Sequence, residues 1–170
     1  MPTTQLDAIA LLKADHRKVE DLFESFEKAT DKARKKSLAD QICMELTVHT
    51  KIEEDIFYPA CRGKIDDEDL LDEAYVEHDG AKVLITEIQA ASPEDSFYDA
   101  KVTVLSEMIE HHVKEEEKRS EGLFARARDA GLDMDELGAR MAAEKTKLTA
   151  AYKASGVPKQ TATTFHATTM

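Results

Sequence analysis

Four histidines, His16, His49, His78 and His112, fall one to each of four successive helix-periodic stretches. Each takes a place where the apolar stripe asks for a hydrophobic residue. Two of them are followed four positions later by a glutamate, as His49-x-x-x-Glu53 and His112-x-x-x-Glu116. Residues i and i+4 lie one turn apart on the same helix face, so each pair aims both side chains at one point. If the four stretches pack as a bundle, four imidazoles and two carboxylates converge on its axis. Carboxylates buried there without compensation are costly, and a multivalent cation removes the cost. Imidazole with carboxylate suits iron, manganese or zinc better than calcium or magnesium. Taken singly, a histidine in an apolar stripe is usually a hydrogen-bonded core residue, and Glu-rich helices produce HxxxE by chance. The joint pattern, four seams with two matched glutamates, points to a metal centre.

The elements that must position these residues read as helices. The first is predicted to start at Thr4 and carries Ile9, Leu12, His16, Val19, Phe23 and Phe26 on one face. The second is predicted over 33–60, with the seam Leu38, Ile42, Leu46, His49, Glu53, Ile56. The acidic cluster 66–69 suits the positive end of a third helix, whose stripe runs through Leu71, His78, Ile85 and Ile88. Ser92-Pro93-Glu94-Asp95 reads as the start of a fourth, with Val102, Leu105, Ile109, His112 and Glu116 in line. A second register, His111-x-x-x-Glu115, shares its stripe with Lys101 and Lys118, so His112 is preferred and His111 becomes a flanking residue. Of the run Glu115-Glu116-Glu117, at least one member is expected to face solvent. Gly131 and Asp133 precede a shorter helix of about 134–153. The predicted fold is all-α, an up-down-up-down four-helix bundle over 1–131. An extra C-terminal helix, 132–154, packs on the bundle, and 155–170 reads as a disordered tail.

Composition narrows the function classes. With 23 Lys and Arg against 35 Asp and Glu, the net charge is −12, which disfavours nucleic-acid phosphates as partners. Only 6 Gly and 4 Pro leave too few turn formers for an all-β fold. No apolar run longer than Ala8 to Leu12 occurs, and Met1 to Gln5 has no basic start, so neither a membrane span nor a signal peptide is read. Cys43 and Cys61 are predicted in one helix, roughly 27 Å apart, too far for a disulfide. Free thiols fit a reducing, cytoplasmic setting.

The segments Asp15-His16-Arg17, His49 to Pro59, Glu77-His78 and His111 to Glu117 together resemble the signatures of hemerythrin-like (HHE) cation-binding domains. The resemblance spans roughly Leu6 to Arg128. It implies a non-haem di-iron centre of two iron ions, joined by an oxo or hydroxo bridge, in a four-helix bundle. It also implies Glu53 and Glu116 as bridging carboxylates and His16, His49, His78 and His112 as terminal ligands. The chain departs from the oxygen carriers where they have a second third-helix histidine; here stands Lys82, as a ligand substitute or a carboxylate partner. It has HxxxE where they have HxxxxD, which makes Glu117 a competitor of Glu116. Many relatives read EEExxLFP where this chain has about three extra residues and no proline. Three residues turn a helix by ~300°, so a break is predicted near Ser120 to Gly122.

The functions implied are binding of O2, NO or peroxide, or sensing of iron and redox state. A di-iron enzyme, peroxidase-like or NO-reducing, is the alternative, with Tyr58 and Tyr75 near the seams. A third is a metal-stabilised interaction module, with a protein partner or homodimer using the apolar face of the last helix (Leu137, Met141, Leu148, Tyr152).

Overall fold

The computed structural model describes residues 4–166, and among them there are six helices and no strand. Helix α1 runs Ala8–Lys28. Helix α2 runs Lys32–Ile52, passes through a π-helical turn at Glu53–Phe57 and ends in one α-turn, Tyr58–Cys61. Helix α3 is Glu68–Ala90, α4 is Tyr98–Glu117, α5 is Leu123–Asp129 and α6 is Met134–Ser155. Helices α1 to α4 close a ring in which each packs on the next and α4 packs on α1. None of the described helices is long and apolar enough to cross a membrane.

Caps explain most boundaries. Asp7 accepts from the Ala10 N–H, so α1 begins four residues later than the Thr4 start expected from sequence. The carboxylate is the stronger acceptor for a free helix N–H and suits the helix dipole. Asp31, Asp67 and Asp133 do the same for α2, α3 and α6. The expected start of α4 at Ser92 is also corrected. The Asp95 carboxylate accepts from the Ser92 N–H and the Ser92 hydroxyl accepts from the Glu94 N–H, closing a single turn, and the helix begins at Tyr98, whose ring is buried.

The interior has two apolar clusters with a polar layer between them. At one end pack Phe23, Phe26, Leu38, Ile42, Ile85 and Leu105. At the other pack Leu12, Ile52, Phe57, Leu71, Leu123 and Phe124, joined by Leu137 and Met141 of α6. Helix α6 therefore spends its apolar face on its own bundle, against α1 and α2. Gly138 permits this approach: a Cβ there would fall 2.5 Å from the Leu6 carbonyl oxygen. The seam expected through Ile56 is shifted, for Ile56 is only half-buried while Phe57 and Tyr58 are both fully buried. The π-turn adds one residue to the turn and moves the register.

The break predicted after the last seam is present. Helix α4 stops at Glu117, Ser120 takes a positive φ of 59°, and Gly122 packs against the backbone of 116–118. Helix α5 then restarts with Leu123 and Phe124 turned inward. Residues 156–166, read from sequence as part of a disordered tail, lie against α2 and α3, where Thr163, Thr164 and Phe165 donate to Asp79. Residues 167–170 lie outside the described residues.

Cys43 and Cys61 are free and sit in opposite apolar clusters. Burial pushes both thiols up to about 12. Neither is expected to react with an aromatic disulfide reagent in the folded protein, and both should react after denaturation, read as released chromophore. Prompt modification of either thiol in the native protein would contradict their placement.

Candidate metal centre

The polar layer is built from one seam position on each of α1 and α3 and two on each of α2 and α4. His16 lies between Leu12 and Val19 on α1, and His78 between Ala74 and Ala81 on α3. His49 and Glu53 follow Leu46 on α2, and His112 and Glu116 follow Leu105 on α4. All six are buried. They form two triads, His16 with His49 and Glu116, and Glu53 with His78 and His112. Within each triad the ligand-bearing atoms lie within 4.8 Å of one another. The carboxylates reach across. Glu116 Oε1 lies 3.3 Å from His16 Nε2 and 3.3 Å from His112 Nε2. Glu53 Oε1 lies 2.8 Å from His49 Nε2 and 3.4 Å from His78 Nε2. Two buried His/Glu triads sharing their carboxylates in this way are consistent with a dinuclear metal site.

The hydrogen bonding tests that fit. His16 Nε2, His49 Nε2, both oxygens of Glu53 and Glu116 Oε1 are buried without a hydrogen-bond partner. Such groups are rare in native interiors, and a cluster of them marks a place for an ion. His78 Nε2 and His112 Nε2 face each other at 3.1 Å, an arrangement that suits a cation between acceptor nitrogens.

The outward nitrogen of every imidazole is taken. His49 Nδ1 meets Asp15 at 3.0 Å, His78 Nδ1 meets Glu54 at 2.9 Å, His112 Nδ1 meets Glu77 at 2.8 Å and His16 Nδ1 meets Glu117 at 2.5 Å. Each acid sits one residue from a seam position on its own helix and serves the histidine of the next helix round the ring. On α1 and α3 it precedes the seam residue; on α2 and α4 it follows. That alternation follows from topology. One residue rotates a helix position by about 100°, and reversing the helix direction reverses the sense of that rotation. A carboxylate on Nδ1 fixes the proton there and leaves Nε2 as the inward-facing donor atom.

Of these outer acids, sequence reading gave a role to Glu117 alone; Asp15, Glu54 and Glu77 stood in the signature segments without one. Their only signal is adjacency to a seam residue. Glu77→Gln is expected to weaken metal binding by about 10–100-fold, measured by competition with a chelator. Equal affinity would show that this carboxylate does not orient His112.

The other named residues fall round this core. Lys82 Nζ pairs with Glu54 at 3.0 Å and Asp79 at 3.2 Å, outside both triads. His111 is exposed and pairs with Glu77 at 3.1 Å. Glu116 is buried, whereas Glu115 and Glu117 are half-buried, and Glu117 also takes Arg17 at 2.8 Å. Tyr75 is half-buried and meets the Tyr58 ring edge-on at 5.2 Å. Tyr58 lies inside the centre. It follows Glu53 by five residues, its backbone N–H donates to the Glu53 carbonyl across the π-turn, and its hydroxyl donates to Glu116 Oε2 at 2.7 Å. A straight α-helix would rotate it away. Lys145 of α6 hydrogen-bonds Asp15, so the added helix also touches the centre's outer partners.

Charge is concentrated here. The seven carboxylates of Asp15, Glu53, Glu54, Glu77, Asp79, Glu116 and Glu117 meet three fixed cations, Arg17, Lys82 and Lys145. The excess is of the size that two divalent ions carry. Without them His49 takes a proton: burial lowers its value, but Glu53 and Asp15 outweigh that and raise it to about 10. His112 is held well above its ordinary range against burial by Glu116 and Glu77. Glu116 is held well below its range against burial by His112 and His16.

A pH dependence follows. For protein stripped of metal, the His49 contribution is fully present below pH 6.5 and is lost as pH rises through about 10. The thermal midpoint of stripped protein is therefore expected to fall over that window, followed by circular dichroism. Metal loading should release protons, detected with an indicator dye in weak buffer. Loading without proton release would contradict protonated histidines at the centre.

The comparisons with known proteins agree with this geometry. The chain superposes on the crystal structure of a hemerythrin HHE cation binding domain-containing protein from Mycobacterium kansasii with a TM-score of 0.72. That match covers 89% of this chain and 95% of the other at 21% identity, a likeness of fold. A protein of Nostoc sp. described as a DNA nickase is 31% identical over 119 residues, 70% of this chain. The chain spans only about a third, 33%, of that relative's length. A family model, the hemerythrin HHE cation binding domain, matches residues 7–124, the stretch that holds all six buried ligand candidates. The chain belongs to the hemerythrin HHE cation-binding domain family.

Proposed function

We propose that the chain is a non-haem di-iron protein whose centre binds a small ligand, O2, NO or peroxide, or senses iron and redox state. The supporting observation is the convergence of five unpaired buried atoms on two imidazole–carboxylate triads, each imidazole already tied on its far side. Imidazole with carboxylate suits iron. Two iron ions there would supply a reversible redox change and an open coordination position.

The chain's own residues do the rest. Asp15, Glu54, Glu77 and Glu117 fix the tautomer and ring angle of the four histidines. Phe124 stacks on His16 at 5.8 Å, and Phe57 meets Phe124 edge-on, closing one side against water. On the other side a cavity of ≈ 20 Å³ is lined by the four histidines with Val19, Leu46, Ala81 and Ile109. It has room for about one water-sized molecule. Burial, together with Glu116 and Glu53, raises the Tyr58 hydroxyl well above its ordinary value. Tyr58 therefore keeps its proton and offers it to Glu116. The net charge of −12 disfavours DNA as a partner, so the nicking activity named for the Nostoc protein is not carried over.

The reading is tested with iron-loaded, anaerobically reduced protein. Its ultraviolet-visible spectrum should change on admission of air or NO, and the change should be absent in His49→Ala. An iron-loaded protein with an unchanging spectrum would overturn it. The buried Tyr58 proton favours a second reading, a di-iron enzyme of peroxidase-like or NO-reducing type. Steady-state turnover that falls at least tenfold in Tyr58→Phe, at equal iron content, would support it. Turnover no greater than that of His49→Ala would dismiss it.

A further inference from the structure

The C-terminal segment meets the centre's outer partners at a point the ligand geometry does not use. Asp79, adjacent to His78 and 0% exposed, has no part in either triad. Its carboxylate instead receives three consecutive backbone N–H groups, Thr163 at 2.8 Å, Thr164 at 2.5 Å and Phe165 at 3.0 Å, and the Thr164 hydroxyl at 2.5 Å. The Thr163 hydroxyl donates to Glu54, the acid that holds His78, at 2.5 Å. Lys82 donates to the Thr161 carbonyl at 3.3 Å, and Gln160 donates to the Thr47 hydroxyl. A segment with no apolar periodicity is thus held almost wholly by hydrogen bonds. Such contacts are the kind that open locally without unfolding the rest.

Beneath the segment lies a polar cavity of ≈ 290 Å³ lined by Thr50, Lys51, Glu54, Lys82, Tyr152 and Gln160. The ≈ 20 Å³ cavity at the histidines has Thr50 in its wall as well. Thr50 is common to both, so the larger cavity abuts the smaller across one side chain. Ile109 and Val113 also border a second cavity, of ≈ 280 Å³, but that wall is apolar whereas the Thr50 wall is polar.

We propose that the larger cavity is the vestibule through which small polar ligands reach the centre, and that residues 156–166 are its lid, latched on Asp79. The lid rests on the di-iron reading above for what it guards. Its lining of hydroxyls, ammonium groups and carboxylates suits small hydrophilic molecules and anions, and so favours peroxide over O2 and NO among the ligands proposed above. Opening requires only that the Asp79 hydrogen bonds exchange with water, with no helix displaced.

The test uses the full chain with Thr163→Pro and Thr164→Pro together. These remove two N–H donors and both hydroxyls of the latch; neither threonine bonds a triad residue, and Glu54 keeps His78 and Lys82 when it loses the Thr163 hydroxyl. Trypsin cleavage after Lys159 should become at least tenfold faster, with or without metal. Azide, a small anionic probe, should reach the iron-loaded centre at least tenfold faster by stopped-flow absorbance, with final spectrum and iron content unchanged. Equal cleavage rates would overturn the latch. Faster cleavage with equal azide rates at full iron would overturn the vestibule while leaving the di-iron reading intact. Failure of both proteins to hold iron would overturn the di-iron reading and the guarded route with it, although the cleavage rates would still report on the latch.

Discussion

Glu53→Ala, loaded with ferrous iron beside the unmodified chain, is expected to retain at most one ion per chain. Glu53 is completely buried, and in metal-free protein only the imidazoles of His49 and His78, at 2.8 and 3.4 Å, face its charge. One of its oxygens thus lies near His49 of one triad and His78 of the other. Removing the carboxylate therefore takes a donor from between two ions and leaves their charges partly uncovered. Breaking a buried pair in this way costs about 3–5 kcal/mol, roughly a 10²–10⁴-fold loss in affinity. Elemental analysis after gel filtration gives the stoichiometry. Two tightly held ions in the variant would show that Glu53 is not shared between them.

Phe57→Ala is expected to be the most damaging change away from the ligands. Phe57 is completely buried in the apolar cluster that α5 and α6 join, edge-on to Phe124 and beside Tyr58. Phe124 in turn stacks on His16. Truncation opens a large hole in a cluster that the π-turn has assembled, and such changes cost about 3–5 kcal/mol. For a chain of this size that is roughly 6–20 °C in thermal midpoint. A shift under about 2 °C, by calorimetry on metal-stripped protein, would mean that the cluster collapses freely around the gap. Comparing stripped protein keeps the effect of metal binding out of the measurement.

The bundle and the inward-facing residues are legible in the sequence because both depend on one-dimensional periodicity. His16, His49, His78 and His112 interrupt apolar stripes, and an i, i+4 glutamate stays on the same face whatever the neighbours are. The break after Glu117 is legible only against the pattern of relatives, since about three extra residues turn a straight helix by ~300° and not by a full turn. What the sequence hides is set between helices. Asp15, Glu54 and Glu77 each face the next helix round the ring, and pairing them with histidines requires knowing the order and direction of the helices. The π-turn at Glu53–Phe57 carries no marker either, because spacings of three and four continue through Ile56. It is fixed by Phe57 and Tyr58 both finding buried places, and it alone brings the Tyr58 hydroxyl to Glu116. Ser92-Pro93 shows the opposite limit: good cap chemistry closes a turn, yet the helix waits for Tyr98 to enter the core. The C-terminal segment has no periodic signal, and its position depends on a carboxylate, Asp79, that resembles any surface acid when read in sequence.

The central claim is that the polar layer between the two apolar clusters exists to hold two metal ions. Elemental analysis of the purified 170-residue chain, after anaerobic ferrous loading and removal of loose iron, tests it most directly. The geometry predicts two ions per chain, with loss of both in a Glu53→Ala/Glu116→Ala double variant that remains helical. A native chain that emerges folded and retains no transition metal would contradict it.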